Sequence, residues 1–168
     1  MLGTDPMRRR LSFATFGLAT FLLAAGHALA QPTPSAPPSF SIPVDGTVGE
    51  GFGPRMNPAD GQPKFHQGLD FIAPIGTQVK ASAAGTVSFV GDLPGFGTVI
   101  KIDHNAGMAT RYTHLSRTDV KEGDTVSAGQ VIGAVGKSGW GSQPQLHFEI
   151  WRDGEPQNPA DLLQLPAH

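Results

Sequence analysis

Between Phe40 and about Leu163 the chain never sustains a helical period over ten residues; short β-branched runs alternate instead with glycine-centred turns. The strand candidates are Val44–Val48, Gln78–Val90, Thr98–His104, Ala109–Leu115, Gln130–Val135 and Pro144–Trp151. Turns fall at Leu93-Pro94-Gly95, Asn105-Ala106-Gly107, Glu122-Gly123-Asp124 and Ala128-Gly129, where glycine supplies the positive φ that tight turns need. This spacing predicts an antiparallel all-β domain, with at most a short helical turn over Ala160–Leu165.

The segment before this domain has a different character. Arg8-Arg9-Arg10 opens a basic stretch, Leu11–Ala25 is an apolar run, and Ala28-Leu29-Ala30 precedes Gln31-Pro32. That order predicts a secretory signal over residues 1–30, cleaved after Ala30, and hence a periplasmic or secreted protein with no stable membrane insertion after cleavage. The other reading of the run is an uncleaved anchor helix. Residues 31–39, QPTPSAPPS, have nothing to bury and read as a disordered Pro/Ser tether, so that the folded domain occupies residues 40–168. The chain has no cysteine, which excludes a lipid anchor on a processed cysteine, a disulfide and a thiolate metal ligand. The leader holds three arginines and one aspartate, so residues 31–168 carry a net charge near −4 and nucleic acid is not the expected partner.

Any site must therefore use His, Asp, Glu and water, and three segments offer these. In Gln145-Leu146-His147-Phe148-Glu149-Ile150, strict alternation puts Leu146, Phe148 and Ile150 on a core face and Gln145, His147 and Glu149 on the other. A histidine held mid-strand is rigidly aimed, as a metal ligand must be, although a hydrogen-bonded structural histidine satisfies the same pattern. In Phe65-His66-Gln67-Gly68-Leu69-Asp70-Phe71, an extended backbone would set His66 and Asp70 on one face, with Gly68 leaving room to bend toward an ion. A chance His-x-x-x-Asp remains open at this point. In Arg111-Tyr112-Thr113-His114-Leu115-Ser116, strand parity pairs Tyr112 with His114 and Thr113 with Leu115. His104, beside a turn, reads as a structural histidine bonded to a backbone carbonyl.

These segments, with FGPR, PIGTQV, ASAAGTV, GFGTVIKIDH and VKEGDTVSAGQVIGAVGKSG, occur in an order and spacing that resemble the lysostaphin-type, or LytM-like, zinc metalloendopeptidases of peptidoglycan. The resemblance covers about Val48 to Pro159. It implies an antiparallel two-sheet β-sandwich with a groove, of the duplicated hybrid-motif type, one Zn2+ and a water nucleophile that cleaves wall peptide cross-links. Carried over residue by residue, His66, Asp70 and His147 would hold the zinc and His114 would be one of two catalytic histidines. The second is replaced by Gln145, whose amide can donate a hydrogen bond but cannot take up a proton at neutral pH. Glu149, on the face of His147, could serve as a base or as a carboxylate behind the ligand.

Two functions follow. The first is a secreted zinc endopeptidase, working as a monomer on stem and cross-link peptides of peptidoglycan. The second is a catalytically weak or inactive module of the same fold that binds wall peptides or activates an amidase, which the Gln145 substitution favours. Trp140, in the glycine-rich segment GKSGWGSQ, is placed to cover substrate. The stretch EGDTVSAGQVIG also resembles biotinyl and lipoyl carriers and sugar-phosphotransferase domains, but no hairpin-tip lysine stands where a carrier needs one, and the predicted signal opposes a cytoplasmic domain.

Overall fold

The computed structural model describes residues 36–56, 61–141 and 143–163. The predicted leader, most of the tether and the end of the predicted terminal turn lie outside the described residues. Among the described residues, twelve strands and one short helix follow one another: β1 (Thr47–Val48), β2 (Gly53–Met56), β3 (Pro63–His66), β4 (Leu69–Ile72), β5 (Gln78–Lys80), β6 (Gly85–Leu93), β7 (Gly97–Asp103), β8 (Met108–Thr118), β9 (Thr125–Val126), β10 (Val131–Val135), β11 (Gln145–Arg152), β12 (Glu155–Gln157) and α1 (Pro159–Leu162). The fold is all-β, and every strand ladder is antiparallel, as the turn spacing predicts. Among the described residues no helix is long and apolar enough to cross a membrane.

The described strands form two antiparallel sheets, a ten-stranded one hydrogen-bonded without a break and a two-stranded one. Ten strands form one branched network ordered β1-β4-β11-β8-β7-β6-β9, with β10 joining β8 to β5 and β12 on β11, while β2 and β3 form a separate hairpin. The 11-residue β8 causes the continuity: its first half pairs with β11, and its second half, Leu115–Thr118, pairs with β10. The core between these elements takes Phe71, Val79, Ile100, Ile102, Tyr112, Leu115, Ile132, Leu146, Phe148 and Ile150. Each such side chain contributes about 1.5–3 kcal/mol by burial. The apolar face expected of β11 is that core face.

The predicted strand Gln78–Val90 is broken in two. Ala81–Ala84 bends between β5 and β6, which pair with different partners. No branched or large apolar side chain holds these four residues in a ladder. At the other end of β11, Asp153 (φ 50°) and Gly154 (φ 84°) form a two-residue hairpin turn with both central residues at positive φ, which returns the chain into β12. Asn158 then caps α1 by accepting from the Ala160 amide at 3.2 Å, with Pro159 in the first helical position.

Candidate metal centre

His66, Asp70 and His147 are brought together by two strand ladders. Asp70 of β4 stands directly opposite His147 of β11, so antiparallel pairing alone puts their side chains on one face. His66 arrives from a different sheet. The single extended segment predicted for residues 65–71 is broken at Gln67–Gly68, where the chain leaves the β2–β3 hairpin and enters β4. Gly68 is needed there because the β11 backbone passes so close. A Cβ at Gly68 would meet the Phe148 carbonyl oxygen and lie 2.8 Å from His147 Cε1. The glycine therefore makes room for the neighbouring strand and a ligand ring, not for an ion.

The three donor atoms form a tight triangle. His147 Nδ1 lies 2.7 Å from Asp70 Oδ1 and 2.9 Å from His66 Nε2, and His66 Nε2 lies 3.2 Å from Asp70 Oδ1. All three residues are buried. Their outer atoms decide what these inner atoms are. His66 Nδ1 is 2.7 Å from the Gly51 carbonyl oxygen, and His147 Nε2 is 3.0 Å from Glu149 Oε1. Both outer partners only accept, so both outer nitrogens carry hydrogen in the neutral rings. Three lone pairs are left converging on one point, an arrangement that requires a cation or an extra proton. Ligands about 2.0–2.1 Å from a tetrahedral zinc lie about 3.3 Å apart, close to the spacings here. The donor set fits zinc, with the groove on the remaining side.

Electrostatics agree with this geometry. Burial alone would raise the Asp70 carboxyl, but hydrogen bonds and charge from His147 and His66 outweigh it and hold the group well below the ordinary carboxylate range. Burial would lower His147, yet Asp70 and Glu149 on its two sides push it up. The pocket prefers positive charge at its centre.

His114 reaches the same groove by breaking parity. It sits at φ 63°, in the left-handed region, and the β7–β8 register slips between Thr98 and Ile100 at this point. The slip is a β-bulge that turns one extra side chain outward. Tyr112 consequently does not accompany His114. It is fully buried among core residues with Leu115, its hydroxyl accepting from the Ser82 amide at 2.8 Å, and burial raises its pKa to about 12. Thr113, opposite His147, and His114 are the adjacent pair on the site side, which corrects the alternation expected from an unbroken strand. The His114 ring centroid is 6.1 Å from that of His147, and its Nδ1 donates to the Ser138 carbonyl at 2.6 Å. Burial is the main reason its pKa is lowered, so the resting ring is neutral with its lone pair on Nε2.

Gln145 lies beside the triangle, its amide donating to Asp70 Oδ2 at 3.4 Å. It bears on the carboxylate through the oxygen that does not face the histidines. Glu149 is fully buried, with both oxygens engaged by protein donors, so it is not a base for a substrate in the groove. His104 uses Nδ1 on the Ala84 carbonyl and Nε2 on Thr110 Oγ1, both at 2.8 Å.

The groove has a volume of about 930 Å³, with Phe65, Ile72, Phe96 and Trp140 among its walls. Trp140 is 82% exposed and covers Gly95, to whose carbonyl its amide donates at 2.9 Å. Ser138 was not evident from sequence. Its hydroxyl bridges the Thr98 amide and the Leu115 carbonyl, each at 3.0 Å, while its own carbonyl holds His114. The glycines at 136, 139 and 141 were the one available sign that this loop packs against backbone.

The model of "Peptidase family M23" matches residues 64–159. The chain is 42% identical over 116 residues to the DD-carboxypeptidase/endopeptidase Mpg of Neisseria meningitidis, covering 69% of this chain and 26% of that protein. It is 38% identical over 120 residues to the peptidoglycan DD-endopeptidase ShyC of Vibrio cholerae, covering 71% and 28%. Among solved structures, a zinc-containing peptidase from Vibrio cholerae superposes with a TM-score of 0.68 at 37% identity, over 71% of this chain and 39% of that one. The chain thus spans about a quarter of the length of the curated relatives it matches.

Proposed function

The chain belongs to peptidase family M23, and from that premise we propose that it is a zinc-dependent endopeptidase that hydrolyses peptide cross-links of peptidoglycan. The observation that carries the reading is the convergence of three lone pairs, from His66 Nε2, His147 Nδ1 and Asp70 Oδ1, beside an open groove. The name of the ShyC relative supports the substrate class.

Zinc at this position supplies a Lewis acid that polarises a carbonyl and acidifies a water. The remaining chemistry belongs to the chain. The groove receives an extended peptide, with Trp140 and Phe65 as exposed apolar walls for it to lie against. His114 is neutral at rest and its Nδ1–H is tied to Ser138, so Nε2 accepts a proton from the attacking water. Once protonated, the same nitrogen donates to the developing oxyanion or to the departing amine. Gln145 donates a hydrogen bond to Asp70 but transfers no proton at neutral pH. Catalysis then rests on one proton-carrying histidine.

A second reading draws on that last point. With glutamine at position 145, the same groove would serve a module that binds wall peptides or activates an amidase. One experiment separates the two. The endopeptidase reading expects about one zinc per chain and release of soluble fragments from purified sacculi, abolished by a chelator and by His147→Ala. Zinc binding with intact sacculi, and cleavage gained by Gln145→His, would establish the second. The export reading is tested on the same preparation, since a cleaved signal gives Gln31 as the N-terminal residue of protein recovered from the periplasm or medium.

A further inference from the structure

Glu149 is the most confined charged group in the described structure. It is fully buried, two residues beyond His147, and three donors converge on its carboxylate: His147 Nε2 on Oε1 at 3.0 Å, Trp151 Nε1 on Oε2 at 2.6 Å and Arg111 Nη1 on Oε2 at 3.0 Å. Arg111 stands directly opposite Glu149 in the β8–β11 ladder, and its guanidinium lies 5.0 Å from the ring of Trp151 and 5.4 Å from that of Phe96. The carboxylate can neither move away nor turn.

His147 therefore sits between two carboxylates, Asp70 at Nδ1 and Glu149 at Nε2, with one ring hydrogen in the neutral state. The location of that hydrogen decides what the ring can do. On Nδ1 it would satisfy Asp70 at 2.7 Å as an ordinary hydrogen bond and close the triangle to a metal. On Nε2 it leaves Nδ1 as a ligand. The geometry points to Glu149 as a positioning residue that, anchored by Arg111 and Trp151, draws the hydrogen to Nε2 and so sets the zinc affinity of His147. The inference rests on the reading of His147 as a ligand.

Glu149→Gln tests it because glutamine keeps the shape and removes an acceptor. Trp151 and Arg111 hold the remaining oxygen, so the amide nitrogen faces His147 Nε2 and donates to it. The hydrogen must then lie on Nδ1. In the purified metal-free protein, at a pH high enough to leave His147 a single ring hydrogen, nitrogen NMR is expected to show the Nε2–H tautomer, and Nδ1–H in Glu149→Gln. Competition against a chelator is expected to give about 10- to 100-fold weaker zinc binding in the variant. Unchanged affinity, or an Nε2–H tautomer in the variant, overturns the inference. Should Glu149→Gln fail to fold, Trp151→Phe decides, since it keeps the aromatic packing and removes one anchor. An affinity weaker by about two- to tenfold supports the inference, and wild-type affinity overturns it. His147→Ala separates the two layers of argument. Zinc lost in that variant but unchanged in Glu149→Gln sinks only the role of Glu149, whereas zinc retained in His147→Ala sinks the ligand assignment and this inference with it.

Discussion

The two sides of the groove hold histidine rings 6.1 Å apart by opposite means. On one side, His147 and Asp70 are partners in a regular ladder, and their approach follows from register alone. On the other, His114 occupies a left-handed conformation that costs a non-glycine residue roughly 1–2 kcal/mol. It is held by what presses on it: the Phe96 carbonyl accepts its amide at 3.0 Å, Ser138 takes its ring, and Gly136 lies against its backbone. The regular side fixes positions that must agree within tenths of an ångström. The irregular side lets one side chain leave its strand's alternation and face a ligand cluster made elsewhere.

If the two sides are separate devices, single glycine substitutions should disable one without the other. The largest effect is expected from Gly68→Ala, whose Cβ would press on the Phe148 carbonyl and His147 and lie 3.0 Å from Glu149 Cγ. Zinc affinity and peptidase activity should both be lost, with overpacking costing about 1–3 kcal/mol of stability by urea denaturation. Next comes Gly136→Ala. Its Cβ would lie 2.5 Å from the Ser116 amide nitrogen and 2.7 Å from the His114 carbonyl oxygen, so β8 must shift and His114 with it. Turnover should fall about 100-fold while zinc affinity, read by chelator competition, stays within about twofold. An equal loss of zinc would show that the two sides are one unit.

His114→Asn sharpens the contrast further. Asparagine tolerates the left-handed region but carries no proton at neutral pH, so turnover on sacculi should drop by about 10²–10⁴. Stability should remain within about 1 kcal/mol of the parent, because the strain is relieved as ring contacts are lost. A variant that unfolds outright would mean that the ring, rather than the loop, holds the bulge.

The same contrast explains what the sequence could reveal. Alternation in Leu146–Ile150 identifies the core face of β11 and the opposite face that carries His147, because a regular strand obeys parity, whereas the common face expected of His66 and Asp70 assumed one extended segment that is broken at Gln67–Gly68. The resemblance to a known family supplied their proposed role. Parity fails at Tyr112 and His114 because the bulge depends on residues 136–139, which no local pattern in 111–116 reports. The break at Ala81–Ala84 was equally hidden inside an apolar run. Glu149 was visible as a polar residue on the site face, but its full burial depends on Arg111, Trp151 and Phe96, drawn from two strands and a turn.

The smallest effect concerns His104, which has the same Nδ1-to-carbonyl bond as His114 but also commits Nε2, to Thr110. Burial is the main cause of its lowered pKa, only partly countered by the Ala84 carbonyl and the charge of Asp103. The unfolded chain takes up this proton near pH 6.5, and the folded chain only at lower pH. Between those two values the unfolded state binds more protons, so stability is full above about pH 6.5 and declines as pH falls toward the folded value. His114 is shifted in the same direction, whereas the metal-free His147 is shifted oppositely. Urea midpoints of zinc-loaded His104→Asn and of the parent, compared from pH 7 downward, should therefore converge as the pH drops. A flat difference would mean that His104 takes up its proton at the same pH in the folded and the unfolded chain.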